Sequence, residues 1–513
     1  MKHKPANSVT NLPNREEETE NNELFTVFKG LSFLFLLYVL PIILSDVLYK
    51  DDIRRILYGD PSTWYRDGRP LMAYILTSLS FGTPVFDTAP LPLVGGILFL
   101  AFSLTRFYKK YLQSYDSFSV ILCLLMLIIS PFFLENLSFK FESLGMCISL
   151  GLFILLFSLP DSVNKPLRFA LSLIITVCVS CIYQATLGAF FSLLFITVFL
   201  ELKEQPLTTI LENAFYKLAG FGLGFLLYMA RIVPTHVAKD GYQAEHSGLL
   251  SMNSEGISRV FRNLYGFLLD LKLFYFPGNN RFLFFLSVLV LILAAVAVVM
   301  YVKDLLATEK DNSKYGKALL CFLAPLFILI SAFLPMCFLA RPNYVPRSFI
   351  SFTVFLLFIG LLFLTLTKKT RLVLFIFIPV YLFSYGFSYS YGNLLQSQTN
   401  YENHVARSIV YDLNKIKSID GSCKFHIEGK TSAAKDVVLA TKTYPRIYSL
   451  LITNYLQKNN VYTTHLLSQF STYRIDINTL KKYNPNDYKV VTKNSLYRIL
   501  QNKKDVVIEF AGK

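Results

Sequence analysis

Two adjacent carboxylates and two guanidiniums lie within one five-residue segment, Asp51 to Arg55, between mostly apolar stretches of the chain. Neighbouring carboxylates can supply a general base or bind a cation. A cluster of solvated surface charges is the more common explanation for a segment of this composition. A catalytic role therefore requires that other polar groups reach the same place.

A second polar stretch, residues 59–70, follows at once and contains Trp64, the single tryptophan of the chain. Tryptophan is commonly an anchor at the membrane–water interface, but an indole face also stacks well on a sugar ring. Arg69 lies at the end of this stretch, directly before Pro70. The apolar residues that follow are too few to cross a bilayer, so we expect them to lie in the interface plane.

A third polar segment, residues 135–142, connects two apolar runs and contains Glu135, Asn136 and Glu142. Polar groups next to a membrane are costly unless they have a role. A short turn between two helices also needs such residues as caps. The two interpretations of this segment are about equally favoured.

Five further residues are candidates because of their positions at the ends of apolar runs. Tyr183 and Gln184 lie in a tight turn, and Arg231 ends a run, although helix packing explains these three nearly as well as a cavity does. Arg341 and Arg347 flank a turn that contains two prolines. Guanidiniums bind phosphate through paired hydrogen bonds, so this arginine pair favours a phosphate site over simple contact with headgroups.

The composition predicts the environment in which these residues are placed. Charged residues make up 16% of the 513 residues and hydrophobic residues 53%, whereas about a quarter of a soluble globular chain is charged. The hydrophobic residues gather in runs long enough to cross a hydrocarbon core about 30 Å thick. The sequence therefore predicts a polytopic α-helical membrane protein with about eleven spans. The predicted spans are 31–48, 90–106, 117–134, 143–159, 167–182, 184–201, 213–233, 282–302, 318–340, 347–367 and 371–390.

The basic residues predict the orientation of these spans. Lys and Arg are concentrated in the connections of one side, which marks the cytoplasm, and the short connections of the other side contain only Lys140, Arg341 and Arg347. We expect a cytoplasmic tail over 1–30, a transmembrane domain over 31–394 and a small periplasmic α/β domain over 395–513. The predicted periplasmic loops are 49–89, 135–142, 234–281 and 341–346.

Several functional classes are disfavoured by the sequence. The net charge of +16 suits a protein that lies against anionic lipid headgroups. The basic residues of the chain form no single stripe of the kind that binds nucleic acid. The chain has no P-loop, no dinucleotide-binding glycine motif after a strand, no nucleophile elbow and no metal-ligand spacing. Nucleotide-driven chemistry therefore has no evident site in the sequence.

In these features the chain resembles the GtrII-like glucosyltransferases, integral-membrane, serotype-converting enzymes that add glucose to bacterial O-antigen. The resemblance covers nearly the whole chain. It rests on the order of several motifs and on their predicted location on the same side of the membrane. These are Asp51-Asp52-Ile53-Arg54-Arg55, Gly59, Trp64, Gly68-Arg69, Glu135-Asn136-Leu137-Ser138-Phe139, Phe141-Glu142, Tyr183-Gln184 and an outside C-terminal domain. The wider class is the GT-C fold, in which an acidic residue of the first outside loop is the catalytic base.

The resemblance implies transfer of glucose from undecaprenyl phosphate glucose to a lipid-linked O-antigen repeat at the periplasmic face of the bacterial inner membrane. Asp51 would accept the proton of the acceptor and Asp52 would orient Asp51. The implied phosphate-binding residues are Arg54, Arg55, Arg341 and Arg347. The implied substrate-binding residues are Trp64, Arg69, Asn136, Glu142, Tyr183, Gln184 and Arg231, with Glu142 standing where the family pattern has Asp.

The same resemblance bears on cofactors and partners. Guanidiniums alone can hold a monophosphate leaving group, so no metal is required, although the acidic pair leaves room for a divalent cation. The implied partners are the lipid donor, the lipid-linked acceptor and the bilayer, together with an upstream lipid-glucose synthase and a flippase.

Two other functions compete with the glycosyltransferase. A flippase or transporter of lipid-linked oligosaccharides would need polar residues through its spans and on both faces, whereas here they crowd one face. An O-antigen polymerase would share the membrane and the chemistry but act on whole repeats, so its loss would shorten the polysaccharide.

Overall fold

Helices account for most of the chain in the computed structural model. The structure describes residues 15–510 except 240–244, 247, 252, 310–312, 368–370, 417, 421, 445, 452–453, 474 and 479–482. The first half of the predicted tail, residues 1–14, lies outside the described residues. The second half belongs to the first helix, which begins at Arg15.

The described helices fall into long apolar helices and short helices in the connections between them. In chain order they are α1 (Arg15–Ser45), α2 (Asp52–Tyr58), α3 (Ser62–Arg66), α4 (Pro70–Leu79), α5 (Leu91–Tyr111), α6 (Ser117–Leu125), α7 (Pro131–Ser138), α8 (Ser143–Phe157), α9 (Lys165–Ile182), α10 (Leu187–Glu201), α11 (Leu207–Leu227), α12 (Val233–His236), α13 (Ser254–Tyr275), α14 (Arg281–Thr308), α15 (Lys314–Ser331), α16 (Leu334–Cys337), α17 (Phe352–Thr367), α18 (Phe377–Lys415), α19 (Lys435–Thr443), α20 (Ile447–Leu450) and α21 (Val461–Phe470). Short 3-10 helices lie at Gln184–Thr186, Pro346–Phe349, Arg371–Ile376 and Pro485–Asp487, and a π-helical turn covers Tyr228–Ile232.

Among the described residues, eight helices are long and apolar enough to cross a membrane. Each of the eight overlaps one of the predicted spans. The predicted spans 143–159 and 347–367 correspond to α8 and α17, which are apolar but shorter than the others. The membrane-protein class is thus supported, while the count of eleven spans and the GT-C architecture stay predictions.

The predicted span 117–134 is not one continuous helix. Helix α6 ends at Leu125 and a separate short helix, α7, begins at Pro131. Proline lacks a backbone N–H and disfavours a helical conformation in the residue before it, so it is well suited to the first position of a new helix. The break leaves α7 as a separate, short, buried helix that contains Glu135 and Asn136, the first two residues of the third polar segment.

The C-terminal region contains a four-stranded sheet in the order β1-β4-β3-β2, with β1 (Lys424–Glu428), β2 (Lys489–Lys493), β3 (Tyr497–Asn502) and β4 (Asp505–Phe510). Strand β1 pairs in parallel with β4, and the other neighbours are antiparallel. Helix α18 runs without a break through residue 395, where the sequence places the start of this domain.

Close approach of two helices explains part of the packing of the long helices. In α11, Gly220 and Gly224 face the backbone of α9, and a Cβ built on Gly224 would lie 2.6 Å from the carbonyl oxygen of Leu173. Small residues four apart allow this approach in membrane proteins. Gly222, between the two, has open space where its Cβ would be.

We expect Gly224→Ala to destabilise the protein, since the added methyl group must push α11 away from α9. Overpacking of this kind costs about 1–3 kcal/mol. The matched control is Gly222→Ala, which adds the same methyl group to the same helix without a clash. Thermal unfolding of the purified full-length protein in detergent measures both, and equal stability of the two variants would contradict this packing.

Candidate functional site

A cavity of about 710 Å³ lies among the connections that the sequence predicts to share one face. Its lining draws residues from each predicted outside loop and from the C-terminal region. The charged residues of the lining are Asp51, Arg54, Arg55, Asp60, Asp67, Arg69, Glu142 and Arg347. The apolar residues are Ala185, Leu187, Phe225, Met229, Val233, Val237, Leu249, Pro335, Met336, Leu339 and Val461.

Asp51 is brought to the cavity by a tight turn in the segment that follows α1. The preceding residue, Lys50, has a left-handed φ of 48°, a conformation that is uncommon outside glycine. Helix α2 then starts directly after Asp51 and stops at Gly59, whose own φ is 58°. The carboxylate of Asp51 is half-buried and accepts a hydrogen bond from the hydroxyl of Tyr462 at 2.8 Å.

Asp51 remains an anion in this environment. Burial raises the pKa of a carboxyl group, but the positive charges of Arg55 and Arg347, the hydroxyl of Tyr462 and the positive charge of Lys50 outweigh it. The pKa of Asp51 is therefore below its usual value. An ionised carboxylate at the surface of a cavity can accept a proton from a bound hydroxyl.

Asp52 has a different position from its neighbour. It is fully buried behind the cavity wall, and its Oδ2 accepts backbone hydrogen bonds from Tyr49 at 3.2 Å and Lys140 at 2.9 Å. Burial raises the pKa of Asp52 to about 7, although Arg55 opposes the shift. Asp52 thus connects the segment Asp51 to Arg55 with the third polar segment, residues 135–142. Of the two acids, only Asp51 lines the cavity.

Glu142 is the centre of a buried ionic network at the wall of the cavity. Its Oε1 accepts hydrogen bonds from a terminal nitrogen of Arg55 and, at 2.7 Å, from the indole of Trp64. Arg69 approaches Oε2 at 3.6 Å. Burial raises the pKa of Glu142, but Arg55 and Arg69 outweigh burial, so the pKa lies below its usual value.

The same network determines what Trp64 and Arg55 can do. Trp64 is fully buried and does not line the cavity, and the guanidinium of Arg55 lies 4.5 Å from the centre of its ring. Nη1 of Arg55 is buried and has no hydrogen-bond partner in the described part of the chain. Nη1 lies 3.6 Å from Oδ1 of Asp52, and Arg55 as a whole brings its positive charge to the lining of the cavity.

A second buried carboxylate, Glu135, holds Arg347 in place. The backbone N–H of Arg347 donates to Oε2 of Glu135 at 2.7 Å, and its guanidinium lies 3.9 Å from Oε1. Lys50 forms an ion pair with the same Oε1. Asn136 and the hydroxyl of Tyr183 both donate to the backbone carbonyl of Arg347, at 3.2 and 3.1 Å.

The turn between α9 and α10 positions Arg69 as well. Gln184 accepts a hydrogen bond from Nε of Arg69 at 2.9 Å and donates to the hydroxyl of Tyr228 at 2.8 Å. The guanidinium of Arg69 also lies 5.0 Å from the centre of the Tyr183 ring. The tight turn thus aims a guanidinium into the cavity.

The structure brings together most of the residues predicted from the sequence, but not all of them. Those that line the cavity are Asp51, Arg54, Arg55, Arg69, Glu142, Tyr183, Gln184 and Arg347. Those that do not line it are Asp52, Trp64, Asn136, Arg231 and Arg341. Arg341 is exposed and pairs with Glu245 at 2.7 Å, and Arg231 is exposed.

Sequence reasoning missed Lys50 and Tyr462. Lys50 could have been found from its position directly before Asp51. Tyr462 had no signal, because it lies more than four hundred residues away in a region whose composition indicates an ordinary soluble domain. Within the described residues, no group of three or more His, Cys, Asp or Glu is arranged to hold a metal ion. That no metal is required stays a prediction.

Comparison with known proteins places the chain among its relatives. A family model described as "Glucosyl transferase GtrII" matches residues 40–364. The chain belongs to the GtrII glucosyltransferase family. The matched range contains the first loop, Glu142 and Arg347, and it ends before the C-terminal domain.

A curated relative is a protein of Salmonella phage P22, named as an uncharacterized 55.3 kDa protein in the gtrB 5′ region. It is 31% identical over 249 residues, which cover 48% of this chain and 50% of the relative. The match thus spans about half the length of that relative. No solved structure matches the chain. These findings confirm the resemblance to GtrII-like proteins.

We expect Glu142→Gln to destabilise this GtrII family member, because Arg55 and Arg69 lose a buried counter-charge. Removing one partner of a buried ion pair costs about 3–5 kcal/mol. The control is Glu212→Gln, which breaks the exposed pair of Glu212 with Lys165 at 2.5 Å and should cost about 1 kcal/mol or less. Thermal unfolding of the two variants is the measurement, and similar losses would argue against the buried network.

Proposed function

We propose that this protein transfers glucose from undecaprenyl phosphate glucose to a hydroxyl of a lipid-linked O-antigen repeat, with Asp51 as the general base. One observation carries the proposal: an ionised carboxylate lies in the same cavity as the guanidiniums of Arg55, Arg69 and Arg347. A glycosyl transfer from a lipid phosphate needs both a base and a group that stabilises the phosphate. Family membership supports glucosyl transfer as the chemistry.

The proposed reaction is one displacement with inversion at the anomeric carbon. The acceptor oxygen forms a bond to that carbon as the bond to the phosphate oxygen breaks, and the acceptor proton moves to Asp51. A carboxylate with a low pKa is a weak base, but the acceptor hydroxyl becomes acidic as its oxygen forms the new bond. The lipid phosphate leaves with its electron pair, and Arg55 and Arg347 stabilise the charge that develops on it.

The apolar lining supports a lipid as the donor. Phe225 and Met229 from one side of the cavity and Met336 and Leu339 from another offer an apolar surface next to the charged lining. A polyprenyl chain would bury its hydrocarbon there while its phosphate reaches the arginines. A water-soluble sugar nucleotide would have no use for such a surface.

The geometry refines the roles inferred from the resemblance. Arg55 and Arg347 are better placed to bind phosphate than Arg341, whose guanidinium pairs with Glu245 away from the lining. Arg54 lines the cavity from the exposed face of α2 and is a further candidate. Asp52 would orient Asp51 by holding the loop through the backbone hydrogen bonds that it accepts from Tyr49 and Lys140.

Location and partners belong to the same proposal. The N-terminus would lie in the cytoplasm, and the cavity and the C-terminal domain would lie in the periplasm, with the chain in the bacterial inner membrane. The donor would then need a synthase and a flippase to deliver it to that face. The arginines would hold the leaving phosphate, so the reaction would need no metal.

Asp51→Asn should lower glucosyl transfer by about 10²–10⁴-fold, the usual contribution of a general base. Asp52→Asn is the matched comparison and should lose less, because an amide can still accept a backbone hydrogen bond and Asp52 is close to half-protonated near neutral pH. The assay uses purified full-length protein in nanodiscs, undecaprenyl phosphate glucose with a radiolabelled glucose, and lipid-linked O-antigen repeats. Full activity of Asp51→Asn would overturn the assignment of the base.

The product in cells separates this proposal from its competitors. Mass spectrometry of lipopolysaccharide from cells with and without the gene should show one added hexose per repeat and unchanged chain length. Shorter chains on loss of the gene would instead indicate a polymerase. Movement of the labelled lipid across proteoliposomes without covalent transfer would indicate a flippase.

A further inference from the structure

We infer that the C-terminal domain completes the catalytic site, with Tyr462 as a positioning residue that holds the carboxylate of Asp51. The inference rests on the proposed function, because it needs Asp51 to be the base. It assigns a part in catalysis to a domain that lies outside the range matched by the family, residues 40–364.

The contact itself is direct. Tyr462 is the second residue of α21, and its hydroxyl donates to Oδ1 of Asp51 at 2.8 Å. Both side chains line the cavity. With Oδ1 held by this hydrogen bond, the orientation of the carboxylate in the cavity is restrained, and Oδ2 would accept the proton of the acceptor.

Tyr462 is itself held in place. The side chain of Asn460 accepts a hydrogen bond from the backbone N–H of Tyr462 at 2.9 Å, which caps the start of α21. The ring of Tyr455 lies 5.2 Å away, centre to centre, and packs against the ring of Tyr462. The phenol therefore approaches Asp51 from a fixed helix start rather than from a free loop.

The C-terminal domain also contacts the backbone next to the base. The hydroxyl of Tyr455 accepts a hydrogen bond from the backbone N–H of Lys50 at 2.5 Å, and the hydroxyl of Tyr49 donates to the carbonyl of Leu450 at 2.6 Å. Tyr455 is held in turn by α18, because its backbone N–H donates a hydrogen bond to the carboxylate of Glu402 at 2.8 Å. Three consecutive residues, 49 to 51, are thus fixed by the C-terminal domain.

The charges around Asp51 determine what the phenol contributes. Lys50 and Arg55 of its own loop and Arg347 favour the carboxylate, while Glu142 of the third polar segment opposes it. Tyr462 is the uncharged donor of this set. Burial, together with the charge of Asp51, raises the pKa of Tyr462 well above its usual value, so its hydroxyl keeps its proton and can only donate to the carboxylate.

Removing the phenol hydroxyl should therefore change both the geometry and the acidity of the base. In Tyr462→Phe, the pKa of Asp51 rises because a donor to its charged form is lost, and the acid limb of the kcat/KM profile moves to higher pH. We expect kcat at neutral pH to fall about 10-fold, the effect of losing one hydrogen bond to a charged group. The KM for undecaprenyl phosphate glucose should stay unchanged, since Tyr462 does not hold the phosphate.

A matched control comes from the same domain. The hydroxyl of Tyr473 is buried and has no hydrogen-bond partner among the residues that the structure describes, so Tyr473→Phe removes the same atom without removing a hydrogen bond. Its activity and its pH profile should match those of the wild-type protein. Thermal unfolding of both variants in detergent shows whether each is folded.

A second substitution tests the direction of the effect while keeping the shape of the side chain. Incorporation of 3-fluorotyrosine at position 462 makes the phenol more acidic and a stronger donor, so the acid limb should move to lower pH. This readout decides the matter if Tyr462→Phe does not fold.

The outcomes separate the inference from the function on which it rests. If Asp51→Asn is inactive but neither change at position 462 moves the acid limb, then Tyr462 has no positioning role and the proposed base stands. If Asp51→Asn keeps full activity, the assignment of the base falls and the inference falls with it. Shifts in opposite directions for phenylalanine and 3-fluorotyrosine, with no shift for Tyr473→Phe, would establish the inference.

Discussion

Two buried carboxylates, Glu135 and Glu142, impose the constraint on which the rest of the site depends. A charge without a partner in a protein interior costs several kcal/mol, so each of these groups must be met by a cation. Lys50 and Arg347 are the cations for Glu135, and Arg55 and Arg69 are the cations for Glu142. Because Lys50 and Arg55 of the first loop pair with carboxylates far away in the chain, satisfying the two carboxylates fixes the path of this loop, and Asp51 is placed as a result.

The sequence predicted which loops meet better than it predicted which side chains face the cavity. Counting basic residues put the segments of Asp51, Glu142 and Arg347 on one side of the spans, and the structure brings these three residues to one cavity. The sequence could not predict that Trp64 lies behind the wall of the cavity. Burial of its ring depends on a hydrogen bond to Glu142, a carboxylate many residues away. Nor could spacing tell Arg347 from Arg341, which differ in whether a buried acid is within reach.

The lengths of the helices were predicted well in some segments of the chain and poorly in others. Most long apolar runs form long helices, as their hydropathy predicts, whereas hydropathy gave no sign of the break between Leu125 and Pro131, where a proline starts a new helix. The composition change near residue 395 does not coincide with a structural break, because α18 continues through it. The apolar residues beside the charged part of the cavity strengthen the Coulomb interactions between the charged groups there, because these interactions are stronger where water is excluded.

Helix α18 connects the last apolar segment of the chain to the C-terminal domain without a loop. Its 39 residues extend about 58 Å at 1.5 Å per residue, nearly twice the thickness of a hydrocarbon core. One rigid rod therefore joins the last apolar segment to the domain that carries Tyr462. Each residue gained or lost within this helix would rotate everything beyond it by about 100°, so we expect changes of length in α18 to be restricted to steps near whole turns.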